Sequence, residues 1–272
     1  MKRRQFDTQE LLLKLLNHMY KAAIYFLISF FSVYSFAQPG DLTKKVNPFI
    51  GTGGHGHTYP GASMPFGMMQ LSPDTRLEGW DGCSGYHYSD SSIYGFSHTH
   101  LSGTGIADYC DILLMPFTGA EEWKPVAYAS RFSHENEKAS PGFYEVLLDK
   151  HHIKASLTTA TRSGMHQYQF APGVKEGKLL VDLKHRDEVL ESSLQIVNDY
   201  EVKGMRRSKS WAANQVVYFY IRFEKPIRST IIALNDSVQQ GLRTASGKNI
   251  KASFAFDLGS GEQLRLKIGI SG

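Results

Sequence analysis

The feature that most constrains this chain is a series of short, strand-like segments that fills its second half. FYEVLLD (143–149), IKASLTTAT (153–161), MHQYQF (165–170) and KLLVDL (178–183) are rich in β-branched, apolar and aromatic residues. VVYFYIRF (216–223), STIIAL (229–234), IKASFAFDL (250–258) and QLRLKIGI (263–270) continue the series. In the last segment Leu264, Leu266, Ile268 and Ile270 alternate with Arg265 and Lys267. Successive side chains of a strand point to opposite faces, so this period of two sends one set to a core and the other to solvent. Pro141-Gly142, Ser163-Gly164, Gly173, Gly247 and Gly259-Ser260-Gly261 separate the runs with turn chemistry. Many strands at this spacing, with almost no helical periodicity, predict an all-β chain built as a large antiparallel β-sandwich.

With 272 residues there is room for one large domain or two small ones, and enough chain to bury a substantial core. A hydrophobic content of 42% against 21% charged residues describes a folded protein rather than a disordered one. The net charge of +4 is small and its basic residues are scattered, which argues against a nucleic-acid partner. Cys83 and Cys110 are too few for a disulfide scaffold. They can pair in an oxidising compartment; two small buried thiols are the simpler reading.

Residues 22–37, AAIYFLISFFSVYSFA, form a short apolar run after Lys21 that ends in Ser35-Phe36-Ala37. The order of basic flank, apolar run and small residues predicts a secretory signal peptide over residues 1–37, cleaved before Gln38. The run is short for a membrane span, and a buried core helix is the alternative. Met19-Tyr20-Lys21 would open a compact signal by itself, so residues 1–18 read as a misassigned upstream start. No cysteine follows Ala37 to carry a lipid. The expected product, 38–272, is exported to the periplasm or medium, with no membrane anchor after cleavage. The closing KIGISG stops at a strand edge rather than in a polar linker, which reads as truncation.

Residues 41–120 are rich in Gly, His, Tyr, Ser and Pro and predict long ordered loops with short strands, a pattern that usually serves function. Asp74, Glu78, Asp81, Asp90, Asp108 and Asp111 lie there, but no spacing singles out an acid–base pair, and loop aspartates more often cap turns. Trp80 sits between Gly79 and Asp81-Gly82, where a large rigid ring reads as a platform rather than as core. His55-Gly56-His57 and His98-Thr99-His100 are His-x-His pairs; in a strand both rings of such a pair share a face and can hold zinc. No carboxylate or cysteine stands at ligand spacing, so the expectation is no metal site, with these rings bonding to loops or lining a pocket. GTGGHG lacks the Lys-Ser/Thr of a phosphate loop, and no serine lies in a nucleophile elbow. Tyr86, Tyr88, Tyr94 and Phe96 divide between core and pocket wall. Arg206, Arg207 and Lys209 read as a solvated charged turn.

The blocks NPFIGTGGHGHTYPGA, MPFGMMQLSPDTR, GWDGCSGYHYSD, YGFSHTHLSGTG and DILLMP resemble, in this order, the N-terminal domain of family 92 glycoside hydrolases. RRSKSWAANQVVYFYIRFEKP (206–226) resembles a later block, so the likeness runs from about Val46 to Ile270. The resemblance implies a supersandwich-like N-terminal domain. It also implies a C-terminal (α/α)6 barrel, absent from these residues, with the active site between the two. Calcium-dependent, exo-acting, inverting α-mannosidases make up most of that family, acting on mannose-containing glycans and in many members on α-1,2 linkages. Calcium and the catalytic carboxylates are then expected from the barrel, leaving no catalytic residue in this chain. Trp80 matches the tryptophan the N-terminal domain lends to the sugar pocket, and Cys83, His57 and His87 are further candidate sugar contacts. The family usually has glycine where this chain has Cys110, so the side chain is expected to crowd a tight loop. A stand-alone carbohydrate-binding or scaffolding module, without catalysis, is the alternative reading.

Overall fold

Alternation along the strands sets the architecture. In Gln263–Ser271, Leu264, Leu266, Ile268 and Ile270 are buried while Arg265 and Lys267 are exposed. In Gln215–Phe223, Val217, Phe219, Ile221 and Phe223 turn inward and Tyr218, Tyr220 and Arg222 outward. Each such inward side chain contributes about 1.5–3 kcal/mol by leaving water.

The computed structural model describes residues Thr8–Val33 and 41–272. Thr8–Val33 is one continuous helix, a separate unit from the rest of the chain. It runs through Met19 without a break, and the expected cleavage motif Ser35-Phe36-Ala37 lies outside the described residues. Among the described residues no helix is long and apolar enough to cross a membrane.

The second unit, Thr43–Gly272, holds two antiparallel sheets and a small third pairing of Ser92–Ile93 with Ser130–Arg131. The first sheet has eight strands. From edge to edge they are Ala62–Ser63, Gln70–Asp74, Gly95–Ser97, Leu113–Phe117, Glu176–Asp182, Ile250–Asp257, Ile227–Leu234 and Ser237–Gln239. The second has nine, in the order Thr244–Gly247, Glu188–Asn198, Glu201–Lys209, Gln215–Phe223, Gln263–Ser271, Ser163–Gln169, Ile153–Thr159, Phe143–Leu148 and Glu137–Ser140. One core joins them: Phe223 of the nine-stranded sheet meets Phe254 and Phe256 of the other at 5.8 and 4.8 Å between ring centres. The β-sandwich expectation holds, and all eight predicted segments are strands.

Ile250–Asp257 is buried on both faces except at Asp257. Residues of the 121–128 segment bond to this strand and its neighbour Glu176–Asp182: Ser253 Oγ donates to Glu121 Oε1 at 3.4 Å. Tyr128 Oη donates to Asp182 Oδ2 at 2.9 Å, and Glu121 accepts from Lys178 Nζ at 2.8 Å. The hairpin Glu188–Asn198 with Glu201–Lys209 was not expected, because its polar residues hide the alternation.

Arg206 corrects the reading of a solvated turn. It lies within Glu201–Lys209, fully buried, and reaches across to the eight-stranded layer. Its Nε donates to the Leu183 carbonyl at 3.0 Å and its Nη2 to the His185 carbonyl at 2.8 Å. Nη1 donates to Ser208 Oγ at 2.8 Å and forms an ion pair with the fully buried Asp111. A guanidinium has five N–H donors in a fixed fork and cannot shed its charge, so burial demands this many acceptors.

Candidate functional site

Three loops of the Gly- and His-rich region converge on Trp80. Gly79, at φ 86° and ψ 156°, a conformation open to glycine and rarely to other residues, precedes the short helix Trp80–Gly82. Trp80 is 57% exposed, far from a core position. The His57 ring meets it edge-on at 4.3 Å and 89°, and the His55 ring lies 5.1 Å away. On the third loop, a Cβ at Gly105 would stand 2.6 Å from Trp80 Nε1, so only glycine lets the backbone pass the indole edge. The His57 carbonyl accepts from Gly103 N at 2.7 Å and ties the first loop to the third. Asp81 adds charge: its Oδ1 lies 2.6 Å from His55 Nδ1 and 3.6 Å from His57 Nε2. His55 holds the Asp81 carboxyl below its ordinary range.

The other candidate contacts support these loops. Cys83 is buried with its thiol directed at the Thr104 carbonyl, and burial pushes that thiol up. His87 is buried as well; its Nε2 donates to the Gly54 carbonyl at 3.1 Å, leaving Nδ1 to accept from Ser89 Oγ at 2.8 Å. Cys83 and Cys110 are both free thiols. Of the predicted contacts, Trp80 presents the most surface to solvent, His57 supports its ring, and Cys83 and His87 anchor the loops from beneath.

A second polar layer is sealed inside. His98 and His100 diverge, because the chain has left the strand Gly95–Ser97 and the rule that puts alternate rings on one face lapses. His100 donates from Nδ1 to the Gln70 carbonyl at 2.7 Å and from Nε2 to Asp74 Oδ1 at 2.8 Å. Both nitrogens face acceptors, which makes the ring an imidazolium. Burial alone would lower its pKa, but Cys110 and Asp74 outweigh burial and push it up to about 10. Burial likewise works to raise Asp74, and His100 and His185 together hold its carboxyl well below the usual range. His185 Nε2 lies 2.7 Å from Asp74 Oδ2.

His98 Nδ1 donates to the Ile112 carbonyl at 2.6 Å, and its Nε2 accepts from His166 Nε2 at 3.0 Å. His166 Nδ1 in turn accepts from Tyr168 Oη at 2.7 Å. Burial lowers His98 to about 4 and His166 well below its ordinary value, so this relay is uncharged.

Cys110 lies in that layer at φ +61°, with Tyr109 and Ile112 also left-handed. The glycine expected there would fit such a backbone, and the Cys110 side chain is accepted only because Gly85 yields space: a Cβ at Gly85 would sit 2.8 Å from Sγ.

Of the six candidate carboxylates of this region, five are buried or held by a partner, and Glu78 is exposed. Asp74, Asp108 and Asp111 are buried, Asp90 is held by Arg76, and Asp81 by His55. Inverting glycoside hydrolysis requires two carboxyl groups roughly 6.5–9.5 Å apart, one placed to protonate and one to activate water. Two sets of described side chains bring metal-ligand atoms within 4.8 Å of one another: His55, His57 and Asp81, and Asp74, His100 and Cys110. Calcium takes six to eight oxygens, and each set offers one carboxylate among nitrogen or sulfur donors, so neither fits it. A groove of about 670 Å³ on the outer face of the nine-stranded sheet, bordered by Lys203, Tyr218 and Tyr220, shares no residue with the Trp80 cluster.

Residues 45–271 match the Glycosyl hydrolase family 92 N-terminal domain. A family GH92 α-mannosidase of Bacteroides thetaiotaomicron, solved with mannoimidazole, shares 37% identity at a TM-score of 0.80; the match covers 85% of this chain and 32% of that one. A family GH92 inverting mannosidase of the same organism shares 28% at a TM-score of 0.74, over 85% and 31%. An uncharacterized secreted glycosidase of Arthroderma benhamiae is 30% identical over 168 residues, 56% of this chain and 21% of that protein. The chain thus spans about a third of the solved relatives and a fifth of the curated one. The match over residues 45–271, with the fold and the glycine-built loops around Trp80, places the chain in glycoside hydrolase family 92 as the family's N-terminal domain.

Proposed function

We propose that this chain is the pocket-shaping part of an exported glycosidase that releases terminal mannose from α-mannosides, with inversion and with α-1,2 linkages as its targets. Trp80 carries the reading. Its exposed indole, buttressed by His57 and Gly105 and flanked by the His55–Asp81 pair, offers the flat apolar surface on which a sugar ring packs. The acid, the base and calcium are assigned to a catalytic barrel outside these residues, a reading supported by the burial of Asp74, Asp108 and Asp111 and by the partners that engage Asp81 and Asp90. Ile50, Phe66 and Trp211 stand exposed, apolar surface that such a barrel would cover.

Two assays test the reading. Trp80→Ala in the complete enzyme lowers kcat/KM on an α-mannoside by at least about tenfold, or about 1.4 kcal/mol of transition-state binding. An unchanged value removes Trp80 from the site. The 272-residue chain by itself shows no mannoside hydrolysis; turnover by it would place the catalytic pair inside these residues after all.

A further inference from the structure

We propose that His55, His57 and Asp81 form a binding site for a divalent first-row transition metal ion, with Zn2+ as its natural probe. The observation that points to a ligand is His57 Nε2. The side chain is only 5% exposed, yet this nitrogen has no hydrogen-bond partner, and it faces Asp81 Oδ1 at 3.6 Å. A buried polar atom left without a partner marks a missing group, and an ion is one of the few that can supply the contact.

The geometry is close to what a metal needs. Tetrahedral zinc binds His nitrogen and carboxylate oxygen at about 2.0–2.2 Å, which puts neighbouring ligand atoms about 3.3–3.5 Å apart. The His57–Asp81 separation is already near that value, and the ligand atoms of all three residues lie within 4.8 Å of one another. His55 Nδ1 and Asp81 Oδ1, at 2.6 Å, must part by less than an ångström, and the His55 side chain is 73% exposed and free to turn. The loop is built to bring the rings together. A Cβ at Gly56 would fall 2.1 Å from the Gly51 carbonyl oxygen, so Gly56 alone permits this path, and His57 follows at φ +53°.

Two imidazoles and one carboxylate select zinc and its neighbours over calcium and magnesium, which prefer all-oxygen shells. Three protein ligands leave a coordination position free for water or an incoming oxygen, beside Trp80. The buried set of Asp74, His100 and Cys110 differs in kind, since both His100 nitrogens and both Asp74 oxygens are already paired. The metal proposal stands independently of the mannosidase reading, since it concerns ion binding by this chain alone.

The test is Zn2+ titration calorimetry on the 272-residue chain, paired with Cu2+ quenching of tryptophan fluorescence. The expected result is one Zn2+ per chain at micromolar affinity, unaffected by excess calcium. His55→Ala and Asp81→Asn each weaken it by roughly tenfold or more. Both replace surface side chains, so their circular dichroism should match the parent. Cu2+ quenches the Trp80 share of the emission while Trp123 and Trp211 persist, and Trp80→Phe abolishes that quench without weakening Zn2+ binding. The proposal is overturned if no Zn2+ heat appears, if binding survives both His55→Ala and Asp81→Asn, or if calcium displaces the ion.

Discussion

Replacing Arg206 with methionine tests whether one buried cation holds the two sheets together. Arg206 and Asp111 are both fully buried, on elements 95 residues apart. In Arg206→Met, Asp111 Oδ2 keeps Thr99 Oγ1 at 2.7 Å and Gln215 Nε2 at 2.5 Å, but Oδ1 loses its cation. The Leu183 and His185 carbonyls lose their donors in the same step. Methionine fills much of the aliphatic stem, so the cavity contribution stays small and the unpaired charge dominates. Removing one partner of a buried pair costs about 3–5 kcal/mol. For a domain of this size each kcal/mol lowers Tm by roughly 2–4 °C, which gives a fall of roughly 6–20 °C. Thermal and urea unfolding of the 272-residue chain measure it. Arg207→Met is the control: the neighbouring side chain bonds Asn214 at the surface at 2.6 Å and should cost no more than about 0.5 kcal/mol. Adding Asp111→Asn to Arg206→Met should recover part of the loss, because an amide leaves no buried charge behind. A cost below about 1 kcal/mol for Arg206→Met, or no recovery in the double variant, would refute the argument.

Burial, opposed by Arg206 and reinforced by Asp111, raises Asp187 to about 7. Between the unfolded value near 4 and that folded value the native state binds the extra proton, so this group makes stability fall as pH rises from about 4 to 7. Asp187→Asn keeps an acceptor for the Tyr109 N–H, now at 3.1 Å, and should remove that slope. Urea titrations at pH 4 and pH 8 should find the variant level with the parent at the first and more stable by up to a few kcal/mol at the second; parallel curves would contradict this. At Trp80, Gly105→Ala places a Cβ inside contact distance of Nε1 and should displace the indole, shifting tryptophan emission and raising acrylamide quenching. Unaltered emission would show that the third loop does not set the ring's position.

The strands were legible because one apolar face is a repeating signal. Leu264 through Ile270 announce it, and the structure buries each of the four. The hairpin Glu188–Asn198 and Glu201–Lys209 was not, because Ser192, Arg206 and Ser208 occupy inward positions that periodicity reserves for apolar residues. They are tolerated inside because partners meet them: Ser192 Oγ reaches the Gly247 carbonyl at 2.7 Å, and Arg206 reaches Asp111. Trp80 was readable from its glycine flanks, since those report a loop and a loop exposes the ring. Its setting was not readable. Asp81 stands 26 residues from His55, and Gly105 is further along still, so no local spacing records that the three loops close on one point. The His98-x-His100 pair shows the same limit from the other side: its spacing is that of a metal strand, but the strand ends at Ser97 and the rings part company. Periodicity states which face is dry. Which charges meet on the dry side is decided by chain closure over dozens of residues, as in the Arg206 tie, and the exposed Trp80 cluster is assembled by the same long-range closure.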